Sequence, residues 1–169
     1  MDPGFIIGNL STLLAMATNA FSSTRKTSKD VLRVQNISQA VYFISAIALK
    51  GYSAAVQNVV SVLRNVAAIR NIKSKTVEWI LTIAGVVLGI VFNNRGLLGL
   101  LPVIGNFQYT LAIFRVKGNE LLLKISFFIS TAAYVAYNIV IHNFVGMVSD
   151  SIVLTTTAIV IIREMRKKA

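Results

Sequence analysis

Seven runs of apolar residues, each about 17 to 19 long, divide the chain and are separated by short polar or basic stretches. They are Gly4–Phe21, Val31–Leu49, Ser53–Arg70, Thr76–Phe92, Leu98–Arg115, Leu122–Val140 and Phe144–Ile162. A hydrocarbon core of about 30 Å takes roughly 20 helical residues to cross, so each run predicts a transmembrane helix, several extending a turn beyond these limits. Seven such spans occupy about 140 of the 169 residues and leave no room for a soluble domain. The first run begins Met1-Asp2-Pro3 and lacks the basic start and small-residue cleavage site of a signal peptide; it is expected to persist as a helix.

Composition agrees with this pattern. Apolar residues make up 55% and charged residues 14%, with a mean hydropathy of +0.70, whereas about a quarter of a soluble domain is charged. A chain this apolar is not disordered. The absence of cysteine excludes disulfides, thiolate metal sites and cysteine nucleophiles together.

The formal charge of +11 admits nucleic acid, acidic lipid or membrane orientation, and placement decides between them. The basic residues fall in four clusters: Arg25, Lys26, Lys29 and Arg33; Arg64, Arg70, Lys73 and Lys75; Arg115, Lys117 and Lys124; and Arg163, Arg166, Lys167 and Lys168. With seven spans these clusters share one side, leaving only Lys50 and Arg95 on the other. Basic loops stay in the cytoplasm, so the amino terminus is expected outside and the carboxyl terminus inside the bacterial inner membrane. Clusters separated by spans do not form the single basic face that nucleic acid requires, and no nucleic-acid partner is expected.

The chain also repeats itself. Phe5-Ile6-Ile7-Gly8-Asn9 matches Pro102-Val103-Ile104-Gly105-Asn106 at an offset of 97. Further on the offset becomes 92, pairing Ser38 with Ser130, Tyr42 with Tyr134, Ile47 with Ile139 and Asn58 with Asp150. Three helices are an odd number, so one linking helix restores the orientation and makes the repeats parallel. The expected organisation is a three-helix unit over 1–75, a linking helix over 76–95 and a second unit over 96–169.

A parallel 3+1+3 plan with a repeated Ile-Gly-Asn start resembles the seven-helix SWEET and PQ-loop superfamily. More closely, Gln35 to Arg70, with Lys50-Gly51-Tyr52-Ser53-Ala54 and Leu63-Arg64-Asn65, followed by Leu101-Pro102-Val103-Ile104-Gly105-Asn106, resembles the YgjV family of bacterial inner-membrane proteins. The resemblance covers nearly the whole chain. It implies an all-α membrane fold with two three-helix bundles face to face around a central solute path, each with its third helix between its first and second. The resembling sugar transporters hold their solute with a pair of asparagines on the third helices of the two units. Asn58 and Asp150 occupy those positions, one of them as an acid.

Polar groups inside hydrocarbon are costly and mark bundle interiors or water paths. Asn58 and Asp150 each lie six residues into an apolar run's helix, roughly 9 Å deep at 1.5 Å per residue. They are expected to meet at the pseudo-two-fold axis and bond the solute, or else to serve as interhelical bonds. Asp150 is the one carboxylate within a span, suited to a cationic group or a transported proton, with His142 or Arg64 as alternative partners. Arg64 either attracts an anionic solute, or snorkels to the interface or pairs structurally. Tyr42, Tyr134, Asn9, Asn106, Gln39 and Asn138 are further substrate-lining candidates, joined by Gln108, Tyr109 and Tyr137.

Gly85 and Gly89 form a Gly-x-x-x-Gly step that predicts close packing, against the bundle or in a homodimer. His142 is the sole histidine, and no metal cluster or phosphate-cradling loop is evident, so neither an enzyme nor a cofactor is expected. The expected function is alternating-access transport of a small polar metabolite, the alternative a non-transporting receptor or assembly protein on the same fold.

Overall fold

Backbone N–H and C=O groups in hydrocarbon must bond within the chain, and a helix satisfies them segment by segment. The computed structural model describes residues 2–22, 24–25, 27–72, 74–115 and 120–168. Lys26, Lys73 and Lys117 of the basic clusters lie outside the described residues. Within them stand seven α-helices: α1 (Pro3–Ser22), α2 (Ser28–Ala48), α3 (Tyr52–Ile69), α4 (Lys75–Val91), α5 (Leu101–Arg115), α6 (Glu120–Val140) and α7 (Phe144–Lys168), with one 3₁₀ turn, Gly96–Leu100, before α5. No strand occurs among the described residues.

Pro3–Ser22, Leu121–Val140 and Phe144–Arg166 are each long and apolar enough to cross a membrane. The others fall short for local reasons. The first two turns of α2 hold Lys29, Asp30 and Arg33, α3 carries Gln57, Asn58, Arg64 and Asn65, and α4 and α5 have only 17 and 15 residues.

The turns between helices show why the chain reverses where it does. After α2, Lys50 takes a left-handed φ of 56°, and the amides of Lys50 and Gly51 bond back to Ile47 and Ala46. After α6, His142 takes a φ of 57°, and the amides of His142 and Asn143 bond back to Ile139 and Asn138. Each is the paired 5→2 and 6→1 closure of a Schellman motif. The two turns sit at the repeat offset of 92, so each unit ends its second helix in the same way. Glycine at 51 leaves room for the other unit, since a Cβ there would meet the Tyr137 hydroxyl at 2.9 Å.

The helices form a ring. Within the first unit α2 packs along both α1 and α3, within the second α6 packs along both α5 and α7, and the ring closes through α1·α7 and α3·α5. The repeat relates these two junctions, since exchanging the units carries α1·α7 onto α5·α3. The helix α4 stands outside, against α3 and α5. This corrects the expectation that the third helix lies between the first and second; the second holds that place. Small side chains cause the change. Gly8, Thr12 and Ala15 line one face of α1, where the Thr12 and Ser45 hydroxyls bond at 2.6 Å, Ser45 donates to the Gly8 carbonyl at 2.8 Å, and Ser38 donates to the Ala15 carbonyl at 2.7 Å. Such residues let two backbones approach and hydrogen-bond in place of lipid contacts.

Among the described residues, one end of the ring holds the starts of α1, α3, α5 and α7 and only two lysines or arginines, Lys50 and Arg95. It is the charge-poor end, and the opposite end is the basic end. Arg95 is itself turned inward, donating at 3.2 Å to the carbonyl of Leu49, which caps the carboxyl end of α2. A cation is favourable there because the helix dipole is negative at that end.

Candidate functional site

The ring encloses a cavity of about 460 Å³ lined by residues from α1, α2, α3, α5, α6 and α7, and by none from α4. Its wall follows from helical periodicity: Ala54, Asn58, Ser61 and Arg64 recur along one face of α3, and Tyr134, Tyr137, Asn138 and Ile141 along one face of α6. Toward the basic end the wall reaches Asn19 and Ala20 in the last turn of α1, both exposed.

The charge-poor end is sealed. Ala46, Leu49, Ala54, Ala55, Tyr137 and Ile141 form one buried apolar cluster across the two units, with Leu101 packed against it. Tyr137, wholly buried, accepts a hydrogen bond from Ser53 of the other unit at 3.2 Å. Beside it Phe5 and Phe144 meet edge to face with centroids 6.0 Å apart.

Asn58 and Asp150 both line the cavity, but they do not bond each other. The Asn58 side chain makes no hydrogen bond among the described residues. Asp150 Oδ2 accepts from Asn138 Nδ2 at 2.8 Å, so its partner is a neutral amide and neither His142 nor Arg64. Asn138 is fixed in turn by Asn143, whose Nδ2 donates to Asn138 Oδ1 at 3.0 Å and whose Oδ1 accepts the Gly146 amide at 3.0 Å as the N-cap of α7. A Cβ on Gly146 would fall 2.5 Å from Asn143 Nδ2, so glycine makes room for this chain.

Arg64 does not snorkel. Its Nη1 donates to Thr110 Oγ1 at 3.0 Å and to Asn106 Oδ1 at 3.3 Å, tying α3 to α5, while its guanidinium stands 6.0 Å from the Tyr109 ring. Asn106 Nδ2 donates on to Gln57 Oε1 at 2.7 Å, and Gln57 Nε2 to the Gly85 carbonyl of α4 at 2.8 Å. Gln57 and Thr110 were not among the sequence candidates. The buried polar stripe Ser53, Gln57, Ser61 and Asn65, at successive helical turns, is the signal that marks the first of them.

Tyr42, Tyr134, Gln39, Asn106 and Asn138 line the cavity, as do Tyr109 and Tyr137. Asn9 does not. It reaches from α1 to the start of α7, donating to the His142 carbonyl at 3.4 Å and accepting the Val145 amide at 3.2 Å. Its repeat partner Asn106 does the equivalent work at the other junction, so the repeated asparagine ties each unit's first helix to the other unit's third. Gln108 bonds Ser126 on α6 twice, at 2.6 and 2.7 Å, and lies off the cavity wall. Gly85 and Gly89 are buried against the chain's own α3 and α5.

The ring thus has an interior lined largely by polar residues, and a family comparison gives it a place. The family model Imp-YgjV, described as bacterial inner membrane protein, matches residues 6–168. The chain belongs to this family. No curated protein and no solved structure matches the chain. Membership in Imp-YgjV together with three helices of spanning length and hydropathy makes it a protein of the bacterial inner membrane.

Proposed function

We propose that this Imp-YgjV protein carries a small polar solute across the inner membrane by alternating access, its two three-helix units moving against each other about the axis that relates the α1·α7 and α3·α5 junctions. One observation carries the reading: a polar cavity of about 460 Å³, walled by both units, is sealed by an apolar cluster at one end only. That volume falls within the range of small-molecule sites. Parallel repeats with a site between them are an established transporter design.

In this reading all seven helices cross the membrane, the units are 1–75 and 96–169 with 76–95 linking them, and the basic end faces the cytoplasm. A relation to the SWEET and PQ-loop superfamily rests on the parallel repeat and on Asn58 and Asp150 at matching positions, and helix order within the unit is where this chain departs. The reading assigns no catalytic step and no cofactor. His142 stands exposed in the α6–α7 turn, its ring 6.4 Å from that of Phe144.

Uptake into proteoliposomes across a panel of labelled sugars, nucleosides, vitamins and amino acids tests the function. At least one solute is expected to accumulate, and Asn58→Leu is expected to reduce its uptake about tenfold or more, the loss of one or two hydrogen bonds to it. The variant should keep its melting temperature, because Asn58 bonds nothing else described. If nothing crosses, yet a solute stabilises the protein and Asn58→Leu abolishes that effect, the receptor alternative replaces transport. Orientation has its own check: a reporter fused after Ala169 should be active in the cytoplasm, and periplasmic activity would reverse the assignment.

A further inference from the structure

Among the described residues lining the cavity there is one carboxylate, Asp150, and one cation, Arg64. They stand on different walls: Arg64 on α3 is turned against α5, and Asp150 on α7 is turned against α6. Neither meets a countercharge among the described residues. Asp150 bonds an amide, and Arg64 bonds an amide oxygen and a hydroxyl. Each also keeps its recognition edge free of described partners. Both bonds of Arg64 leave from Nη1, so Nη2 and Nε, the pair that meets a carboxylate side-on, remain, and Asp150 uses Oδ2 alone, leaving Oδ1.

Depth supports the pairing. Asp150 lies six residues into α7, about 9 Å from the charge-poor end at 1.5 Å per residue. The Arg64 guanidinium sits level with Asn106 and Thr110, five and nine residues into α5, or roughly 8 to 14 Å deep. The two charges therefore lie at comparable helical depths on separate walls of the one cavity. Tyr134 and Tyr42 line the same cavity.

Uncompensated charges of opposite sign in a low-dielectric wall are expensive, and direct pairing would relieve them if the walls allowed it. A neutral sugar would leave both uncompensated, and a simple cation or anion would leave one. A molecule carrying both charges a few ångströms apart would relieve the two at once. We propose that the solute is a small zwitterion of the amino-acid type, its ammonium group received by Asp150 and its carboxylate by the free edge of Arg64. The assignment of a solute class rests on the transport reading above, but the binding site it names can be tested apart from transport.

The test uses the purified full-length protein and measures binding at neutral pH, by calorimetry and by thermal shift, for four small probes: L-serine with both charges, ethanolamine with the cation alone, L-lactate with the anion alone, and glycerol with neither. Glycine, γ-aminobutyrate and glycine betaine extend the zwitterion arm. At least one zwitterion should bind about tenfold or more tighter than each of the other three probes, the worth of a lost charge-assisted hydrogen bond. Asp150→Asn should weaken the zwitterion and rank lactate above ethanolamine. Arg64→Gln, which keeps an amide to reach Thr110, should rank them the other way. Structural damage would weaken every probe together and would not produce opposite preferences.

If either variant cannot be purified, the ranking on the wild-type protein decides alone. Equal binding of glycerol and the zwitterions, or no binding by any zwitterion in the panel, overturns the proposal. Zwitterion binding without uptake into proteoliposomes removes the transport reading and leaves this one standing. Uptake of a neutral solute with no response to zwitterions does the reverse.

Discussion

Leucine at position 89 is expected to lower the melting temperature of the purified protein by about 10 °C or to prevent it from accumulating at all. Gly89 is buried on α4 where that helix meets α3 and α5, and a Cβ built there would lie 2.6 Å from Gln57 Nε2 and 2.6 Å from Val103 Cγ2. Neither neighbour is free to give way. Gln57 is held by the Gly85 carbonyl on one side and Asn106 on the other, and Val103 is buried on α5. Overpacking of this kind costs about 1 to 3 kcal/mol, and pushing Gln57 from its bonds adds about 1 kcal/mol for each one broken. At roughly 2 to 4 °C per kcal/mol for a chain of this size, the sum is a shift of about 10 °C.

The neighbouring glycine supplies the contrast. A Cβ on Gly85 would meet Val60 at 3.4 Å, an ordinary contact, so Gly85→Ala is expected to be neutral or to stabilise by up to about 1 kcal/mol through helix propensity. Thermal melts of the two variants in one detergent check both statements. A Gly89→Leu protein that melts within a degree or two of wild type would mean that α4 does not pack here.

The helices were legible because the bilayer demands them. Each apolar run became a helix within a few residues of its predicted limits, and the departures have local causes. The helix α2 begins early, at Ser28, because the Thr27 hydroxyl accepts the Asp30 amide at 3.2 Å and caps it. The helix α5 begins late because Gly96–Leu100 winds as a 3₁₀ turn ahead of Pro102. The helix α7 runs six residues past Ile162, since charged residues beyond the apolar run do not oppose a helix. The turns at Lys50 and His142 also fall at the offset of 92, a match that the apolar runs did not single out.

Lateral order was not legible. Run lengths and charges fix which way a helix points but not which helix stands beside it. That information lies in the small-residue face Gly8, Thr12 and Ala15, whose partners Ser38 and Ser45 are on α2 and Leu49 is its C-cap. The same limit explains Asn9, which was grouped with Asn106 by repeat position. Both bond across a junction, but Asn106 sits where the junction borders the cavity and Asn9 where it borders the seal. Asn58, Asp150, Tyr42 and Tyr134 reached the cavity wall because polar groups deep in a span have few other places to go.

Opening the seal at the charge-poor end should be the other large effect, and the absence of cysteine makes it measurable without background. A single cysteine at Ser61, on the cavity wall, is expected to react with a membrane-impermeant maleimide applied from the basic end. One at Ala54, buried in the seal, should be inert from either side. The contacts specific to the closed end are the bond from Ser53 to the Tyr137 hydroxyl and the two bonds of Asn9 to His142 and Val145. Tyr137→Phe with Asn9→Leu removes all three. In the transport reading these bonds exist only when that end is closed, so losing them subtracts about 2 kcal/mol from the closed state, at roughly 1 kcal/mol for a good bond and less for the longest. That is about a thirtyfold shift in population. Labelling of the Ala54→Cys variant from the charge-poor end should rise by an order of magnitude or more in the doubly substituted background. Labelling of Ser61→Cys from the basic end should fall as the same population leaves the state open to that side. An unchanged Ala54→Cys rate in a protein that still melts cooperatively would make the apolar cluster a permanent floor. The cavity would then be a pocket with one mouth, and the receptor reading would account for it better than transport.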